Sequence, residues 1–170
     1  MLARVAAMTL VAVAAVLVQT VMLPKFAVLG WQPDLVLLTV IGFALASGPR
    51  TGARYGFAAG LLVDLVSGAG QPVGLSSLVM LSAGWVTGEA RPHLTASRIS
   101  GRIAAGGVVT AAALSLQALI EMLLHRGHYA PGGLLAGVLV TGLYNAVLAP
   151  VVCAPLAQLA ARLTADPLAS

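Results

Sequence analysis

Long apolar segments separated by short polar or proline-containing stretches make up almost the whole chain, and this pattern constrains the environment in which it folds. A helix needs about 20 mostly apolar residues to cross the hydrocarbon core of a bilayer. Of the 170 residues, 59% are hydrophobic and 8% are charged, whereas roughly 25% of the residues in an average soluble domain are charged. The chain has too few charges to cover a soluble surface. We therefore predict an all-α integral membrane protein.

Six segments are predicted to span the membrane as a six-transmembrane-helix bundle that forms one domain over residues 1–170. Proline cannot continue a helical hydrogen-bond ladder, so Pro24, Gly48-Pro49 and Pro72 separate the first four segments. Pro150 and Pro155 are expected to kink or break the last helix, which leaves a tilted continuation to about residue 163. The predicted spans cover about residues 5–23, 33–47, 51–67, 72–90, 103–124 and 132–149.

The distribution of basic residues predicts the orientation of this bundle. If six spans alternate, seven arginines fall on the side of the two termini, whereas Lys25 and Arg126 fall on the other side. Cytoplasmic loops carry an excess of Lys and Arg, so we predict that both termini are cytoplasmic, N-in/C-in. The net charge of +4 is scattered rather than clustered, which favours contact with the lipid bilayer over nucleic acid. The seven arginines are Arg4, Arg50, Arg54, Arg91, Arg98, Arg102 and Arg162.

The sequence contains few residue patterns that indicate a catalytic or metal-binding site. It contains no nucleophile elbow, phosphate-binding loop, dinucleotide fingerprint or metalloprotease helix motif, and Cys153 is its single cysteine. Glu121, His125 and His128 have the i, i+4, i+7 spacing of one helix face. Gly127 interrupts that face, so a Glu–His pairing at the helix end is favoured over a metal site. We predict no enzyme, no cofactor and no metal.

Two aspartates lie within or beside the apolar segments. Asp34 follows Pro33 at the start of the second segment, where a carboxylate suits the unpaired N–H groups and the positive end of a helix. It is interpreted as a helix cap near the outer interface, with a contact to a partner as the alternative. Asp64 lies inside the outer half of the bilayer, where an ionisable side chain must face protein or water. A structural carboxylate is favoured there over a proton or ion site.

Small residues share a face with Asp64. Gly52, Gly56, Gly60 and Asp64 recur at every fourth residue, so the last three lie on one side of the third helix. Small residues on such a face let another helix approach closely. In the last segment, Asn145 is expected to bond between helices and to meet backbone groups that Pro150 frees.

Taken in order, these residues resemble the rod-shape-determining protein MreD family of bacteria, whose length and six-span layout are also similar. The resemblance identifies Pro33, Asp34, Gly56, Phe57, Gly60, Asp64, Gly74, Asn145 and Pro150 as candidate structural or partner-binding residues. The motifs that carry it are Pro33-Asp34-Leu35, Gly56-Phe57-Ala58-Ala59-Gly60-Leu61-Leu62-Val63-Asp64, Gly74-Leu75, and Asn145 with Pro150.

The resemblance implies a multi-pass protein of the bacterial inner membrane that takes part in cell elongation and is not itself catalytic. It implies binding to MreC, a single-span periplasmic protein. Through that complex it implies support of peptidoglycan synthesis by a glycan polymerase and a class B penicillin-binding transpeptidase, in a system linked indirectly to MreB. It also implies a fold similar to the S components of energy-coupling-factor transporters.

Two other function classes stay open from the residues. A vitamin-binding S component is also a small six-helix protein, and Ala3, Ala7 and Ala15 in the first segment resemble the small-residue face that S components present to their transport partner. The three Phe, three Tyr and two Trp are few for a vitamin pocket. A small channel or proton-coupled transporter is the third class, and it rests on Asp64 alone.

Overall fold

Helices make up nearly all of the described chain. The computed structural model describes residues 2–22, 31–67, 73–95, 99–124 and 131–165. α5 lies in the stretch between Arg91 and Arg102, which is the longest polar stretch of the sequence, and the other helices overlap the six predicted segments in order. The helices are α1 (Leu2–Val21), α2 (Leu35–Ser47), α3 (Pro49–Ser67), α4 (Leu75–Glu89), α5 (Arg91–Thr95), α6 (Ser100–Leu123) and α7 (Pro131–Ala165).

Two of these helices are long and apolar enough to cross a membrane by length and composition, namely Ser100–Leu123 and Gly132–Arg162. Val5–Val21 and Leu35–Ser47 are shorter apolar helices. The all-helical architecture is consistent with a helical membrane protein. The six spans and the N-in/C-in orientation stay predictions.

The helix α2 forms the centre of the bundle. All ten residues from Val36 to Leu45 are buried, and α2 packs against α1, α3, α4 and α7. A helix that is apolar on every side is stable where other helices surround it. On the α3 side, the rings of Phe43 and Tyr55 are 4.6 Å apart. The Thr39 and Tyr55 hydroxyl oxygens lie 3.0 Å apart and share a hydrogen bond.

A glycine and a proline make the sharp turn between α2 and α3. Gly48 has φ +88° and its N–H donates to the carbonyl of Ala44, which closes the last turn of α2. Pro49 then begins α3 at the first helical position, where a missing N–H leaves no bond unmade.

The relative directions of the packed helices follow from which residues meet. α3 and α4 are antiparallel, because Gly52 lies against Gly84 and Gly60 lies against Ser77.

α2 and α7 run in the same direction. The backbone N–H of Asp34, at the start of α2, donates a hydrogen bond to Asn145 of α7. Further toward the C-terminal end of both helices, Gly42 of α2 lies against Cys153 of α7. Six successive spans that alternate in direction would place the second and sixth parallel and the third and fourth antiparallel. The observed directions are those that six alternating spans would have, and the six spans stay a prediction.

The described arginines lie at the end of the bundle opposite to the start of α2. Given the helix directions, they form one basic end, and most of their side chains are exposed. This basic end is the one predicted to face the cytoplasm. The arginines are Arg4 early in α1, Arg50 and Arg54 early in α3, Arg91 in α5, Arg102 early in α6 and Arg162 late in α7. Lys25, Arg98 and Arg126 lie outside the described residues.

The last helix continues through its prolines, so of the two outcomes expected there, a kink or a break, the break does not occur. α7 continues for 35 residues through Pro150 and Pro155. An internal proline removes one hydrogen bond, but ending the helix in hydrocarbon would leave several backbone groups unpaired. Continuing the helix is therefore the less unfavourable choice. At 1.5 Å per residue α7 is about 52 Å long, so it extends beyond a hydrocarbon core of about 30 Å.

Candidate functional site

Three glycines of α3 let its backbone touch the backbone of α4. A Cβ atom placed on Gly60 would lie 2.5 Å from the Cα atom of Ser77, and one on Gly52 would lie 2.6 Å from the Gly84 carbonyl oxygen. A Cβ atom on Gly56 would overlap the carbonyl group of Met80. Any side chain at these positions would force the two helices apart.

The α4 side of this contact contains glycines that the sequence reasoning missed. A Cβ atom on Gly84 would overlap the carbonyl group of Gly52, and one on Gly88 would overlap Pro49. Their four-residue spacing matches that of the α3 glycines and was the available signal. The contact is thus built from small residues on both helices, which is how helices pack closely in lipid.

Asp64 joins the end of α3 to the start of α4. Its Oδ2 accepts hydrogen bonds from the N–H of Gly74 (2.8 Å), the N–H of Ser77 (3.3 Å) and the hydroxyl of Ser77 (3.1 Å). Its Oδ1 accepts from the N–H of Ser76 (3.1 Å). The first N–H groups of a helix have no partner within that helix, so Asp64 caps α4 from the neighbouring helix. The side chain is 4% exposed, and these four bonds support the structural interpretation over the ion site.

Gly74 holds a backbone conformation that this cap requires. Its φ is +102°, in the left-handed region, which a residue with a Cβ atom enters at a cost. No atom lies within 4 Å of a Cβ placed there. The requirement for glycine is therefore conformational and not a matter of space.

Asp34 caps the start of α2. It has extended backbone angles, and its Oδ1 accepts a hydrogen bond from the N–H of Leu37 at 2.9 Å. The N–H of Val36 donates to the Gln19 side-chain oxygen of α1 at 3.0 Å. Two neighbouring N–H groups at the start of α2 are thus bound by two different side chains, one of them from another helix.

Asn145 of α7 holds the backbone of the same residue. Its Oδ1 accepts from the N–H of Asp34 (3.0 Å), and its Nδ2 donates to the carbonyl of Asp34 (3.2 Å) and to the hydroxyl of Thr110 (2.8 Å). Asn145 is fully buried. Its amide therefore ties α2, α6 and α7 together, and it does not serve the backbone freed by Pro150 as the sequence led us to expect.

A π-helical turn in α6 accompanies this junction. The turn covers Ala105–Val109 and ends immediately before Thr110. A Cβ atom on Gly106, within the turn, would lie 2.5 Å from the carbonyl oxygen of Asn145. The glycine thus allows α6 to lie close to α7 at the level where Thr110 reaches Asn145. The sequence analysis did not single out Thr110, and the signal for it was a hydroxyl side chain within an apolar segment.

The remaining candidate residues do not form one cluster. Pro33 is buried beside Asp34, and Pro150 is half-buried in α7. Phe57 is 48% exposed on α3. Of the nine candidates, Asp34 and Asn145 meet at one junction, and Gly56, Gly60, Asp64 and Gly74 meet in the contact of α3 with α4.

Of the three residues whose spacing raised the possibility of a metal site, the structure describes Glu121 alone. Glu121 is buried and its Oε1 accepts a hydrogen bond from the side-chain amide of Gln117 at 3.1 Å. His125 and His128 lie outside the described residues. Among the described residues no group of three His, Cys, Asp or Glu side chains is placed to hold a metal ion.

Comparison with known proteins gives one match. A family model described as rod shape-determining protein MreD matches residues 1–161. This range contains α1 to α6 and most of α7, and all nine candidate residues. No curated protein and no solved structure matches the chain.

Proposed function

This chain belongs to the MreD family of rod shape-determining proteins, and from that premise we propose that it is a non-catalytic scaffold of the cell-elongation machinery in the bacterial inner membrane. It binds an MreC-like single-span periplasmic protein. The complex supports peptidoglycan synthesis by the glycan polymerase and the class B penicillin-binding transpeptidase, and it is linked indirectly to MreB. The observation that carries the proposal is the family match over residues 1–161.

The geometry of the buried polar groups is compatible with a scaffold. Asp34, Asp64 and Asn145 each use their side chains to fix a helix start or a three-helix junction. Within the described chain every buried side-chain nitrogen and oxygen has a hydrogen-bond partner. These groups hold helices in place, and the lipid-facing surfaces are left for contacts with other proteins.

Phe57 is the candidate for such a contact. It lies in the motif that resembles the family, between Gly56 and Gly60, and its side chain is 48% exposed. Aromatic side chains are common anchors at protein interfaces. The proposal therefore places Phe57 where a partner's transmembrane helix meets α3.

Copurification from native membranes tests the function. The tagged full-length chain should recover an MreC-like protein and the transpeptidase, and deletion of its gene should turn rod-shaped cells into rounded ones. Phe57→Ala should reduce recovery of the MreC-like protein several-fold with an unchanged thermal unfolding midpoint. Leu139→Ala, at a 62% exposed position of α7, is the matched control. Rod-shaped deletion cells and no recovered MreC-like protein would contradict the proposal.

A further inference from the structure

An apolar groove of about 350 Å³ lies between α1 and α3. Its walls come from residues between Val5 and Ala12 on α1 and between Arg54 and Leu65 on α3. Most of these side chains are aliphatic, among them Val5, Ala58 and Leu62. The groove is open along one side, so it faces the surroundings of the bundle and not its core.

The polar side chains that line the groove, apart from one, are already engaged. The hydroxyl of Thr9 donates to the carbonyl of Val5 at 3.0 Å, and the hydroxyl of Tyr55 shares a hydrogen bond with Thr39. Arg54 is the charged residue of the lining, and its side chain is exposed. Asp34 and Asp64 cap helices at the opposite end of the bundle. The groove is thus lined mainly by apolar side chains and has one positively charged side chain, Arg54, at one end.

The length of the groove matches that of one lipid acyl chain, which fills about half of the hydrocarbon core. Arg54 and Leu65 are eleven residues apart on α3, which is about 16 Å at 1.5 Å per residue. Half of a hydrocarbon core of about 30 Å is about 15 Å. Arg54 lies at the basic end of the bundle, with Arg50 exposed one turn before it. An acyl chain that begins at Arg54 and follows the groove would end beside Leu65, two residues before the end of α3 at Ser67.

We propose that this groove binds an anionic phospholipid, with an acyl chain lying along α1 and α3 and the headgroup phosphate at Arg54. A guanidinium group donates well to phosphate oxygens, and the cytoplasmic leaflet, which the basic end is predicted to face, is rich in anionic lipids. A helix about 10 Å wide and 16 Å long occupies roughly 1,250 Å³, several times the volume of the groove. A single acyl chain is therefore the better fit than a partner helix.

The test compares lipid binding by the purified full-length chain and two arginine variants. Native mass spectrometry and thermal unfolding are measured with phosphatidylglycerol and with phosphatidylcholine of the same acyl chains. Phosphatidylglycerol should be retained and should raise the unfolding midpoint more. Arg54→Gln should weaken its binding about fivefold, the effect of one basic residue near a membrane surface. Arg162→Gln removes the same charge from an exposed position on the same end, and binding should be unchanged.

A third variant tests the apolar part of the groove. Ala58→Trp fills the groove while leaving Arg54 in place, and it should reduce retention of phosphatidylglycerol with helicity by circular dichroism unchanged. Equal losses in the two arginine variants, or equal retention of the two lipids, would overturn the proposal. So would an Ala58→Trp protein that keeps its lipid but loses the MreC-like partner, since the groove would then hold a protein helix. Lipid binding needs no partner, so failure here leaves the proposed function standing.

Discussion

The side-chain amide of Asn145 forms hydrogen bonds with both the N–H and the carbonyl of Asp34, although the two residues are 111 positions apart in the sequence. Both atoms of the amide are used, and its Nδ2 also donates to Thr110. The bond pair therefore fixes the start of the central helix α2 against the middle of α7. Four variants test how this junction and the α3–α4 contact stabilise the bundle.

Asn145→Ala removes the partner of both backbone groups of Asp34 and should lower the free energy of unfolding by about 2 kcal/mol, the penalty for buried groups left unpaired. Thermal unfolding in detergent measures the loss. Gln158→Ala, at an exposed position of the same helix, should leave the midpoint unchanged. If both variants unfold at the wild-type temperature, Asn145 does not hold the start of α2.

Asp64→Asn replaces two acceptor oxygens by one and places an NH₂ group against the N–H groups of α4. Because hydrogen bonds to a charged group are worth more than neutral ones, the free energy of unfolding should fall by about 2 kcal/mol. Glu89→Gln, an exposed carboxylate at the end of α4, is the control and should change little. Proton or cation flux into proteoliposomes should be the same for wild type and Asp64→Asn, and a difference in flux would restore the ion-site interpretation.

Gly60→Ala adds a methyl group 2.5 Å from the Cα atom of Ser77 and should lower the free energy of unfolding by about 1–3 kcal/mol, as overpacking does. Gly133→Ala is the matched glycine variant, since no atom lies within 4 Å of its added methyl group. It should be neutral or stabilising by about 0.5 kcal/mol, because alanine favours the helix over glycine. Equal midpoints for the two variants would refute the close approach of α3 and α4.

Gly74→Ala should lower the free energy of unfolding by about 1 kcal/mol because its φ of +102° disfavours any residue with a Cβ atom. Asparagine tolerates the left-handed region better than alanine, so Gly74→Asn should lower the free energy of unfolding by less than Gly74→Ala does. Thermal unfolding measures this, and the midpoint should be highest for the wild type, lower for Gly74→Asn and lowest for Gly74→Ala. An alanine variant as stable as wild type would show that the strain is relieved by a shift of the turn.

The family, confirmed by the match to residues 1–161, could be predicted from the sequence because its motifs are short and occur in a fixed order. The start of α2 could also be placed, since a proline followed by an aspartate marks a helix start locally. The glycine face of α3 follows from a four-residue spacing that is visible in the sequence itself. These features depend on residues that are near one another in the chain.

The identity of the contacting residues could not be predicted, because it depends on how helices far apart in sequence pack. Nothing local indicates that Asn145 binds the backbone of Asp34 or that Asp64 finds its donors on α4. Whether α7 would kink or break at Pro150 stayed open in the sequence for a related reason. Local propensity treats proline as a helix breaker, whereas the apolar surroundings make unpaired backbone groups the larger penalty.

The α3–α4 contact also has a consequence for how the chain enters the bilayer during synthesis. α3 carries Arg50 and Arg54 near its start and Asp64 near its end, and inserting an ionised side chain into hydrocarbon without a partner is unfavourable. The donors that satisfy Asp64 become available when α4 has been made. We therefore expect the translocon to release α3 into lipid together with α4 as a helical hairpin, so that a nascent chain ending before Leu75 would insert its third helix poorly.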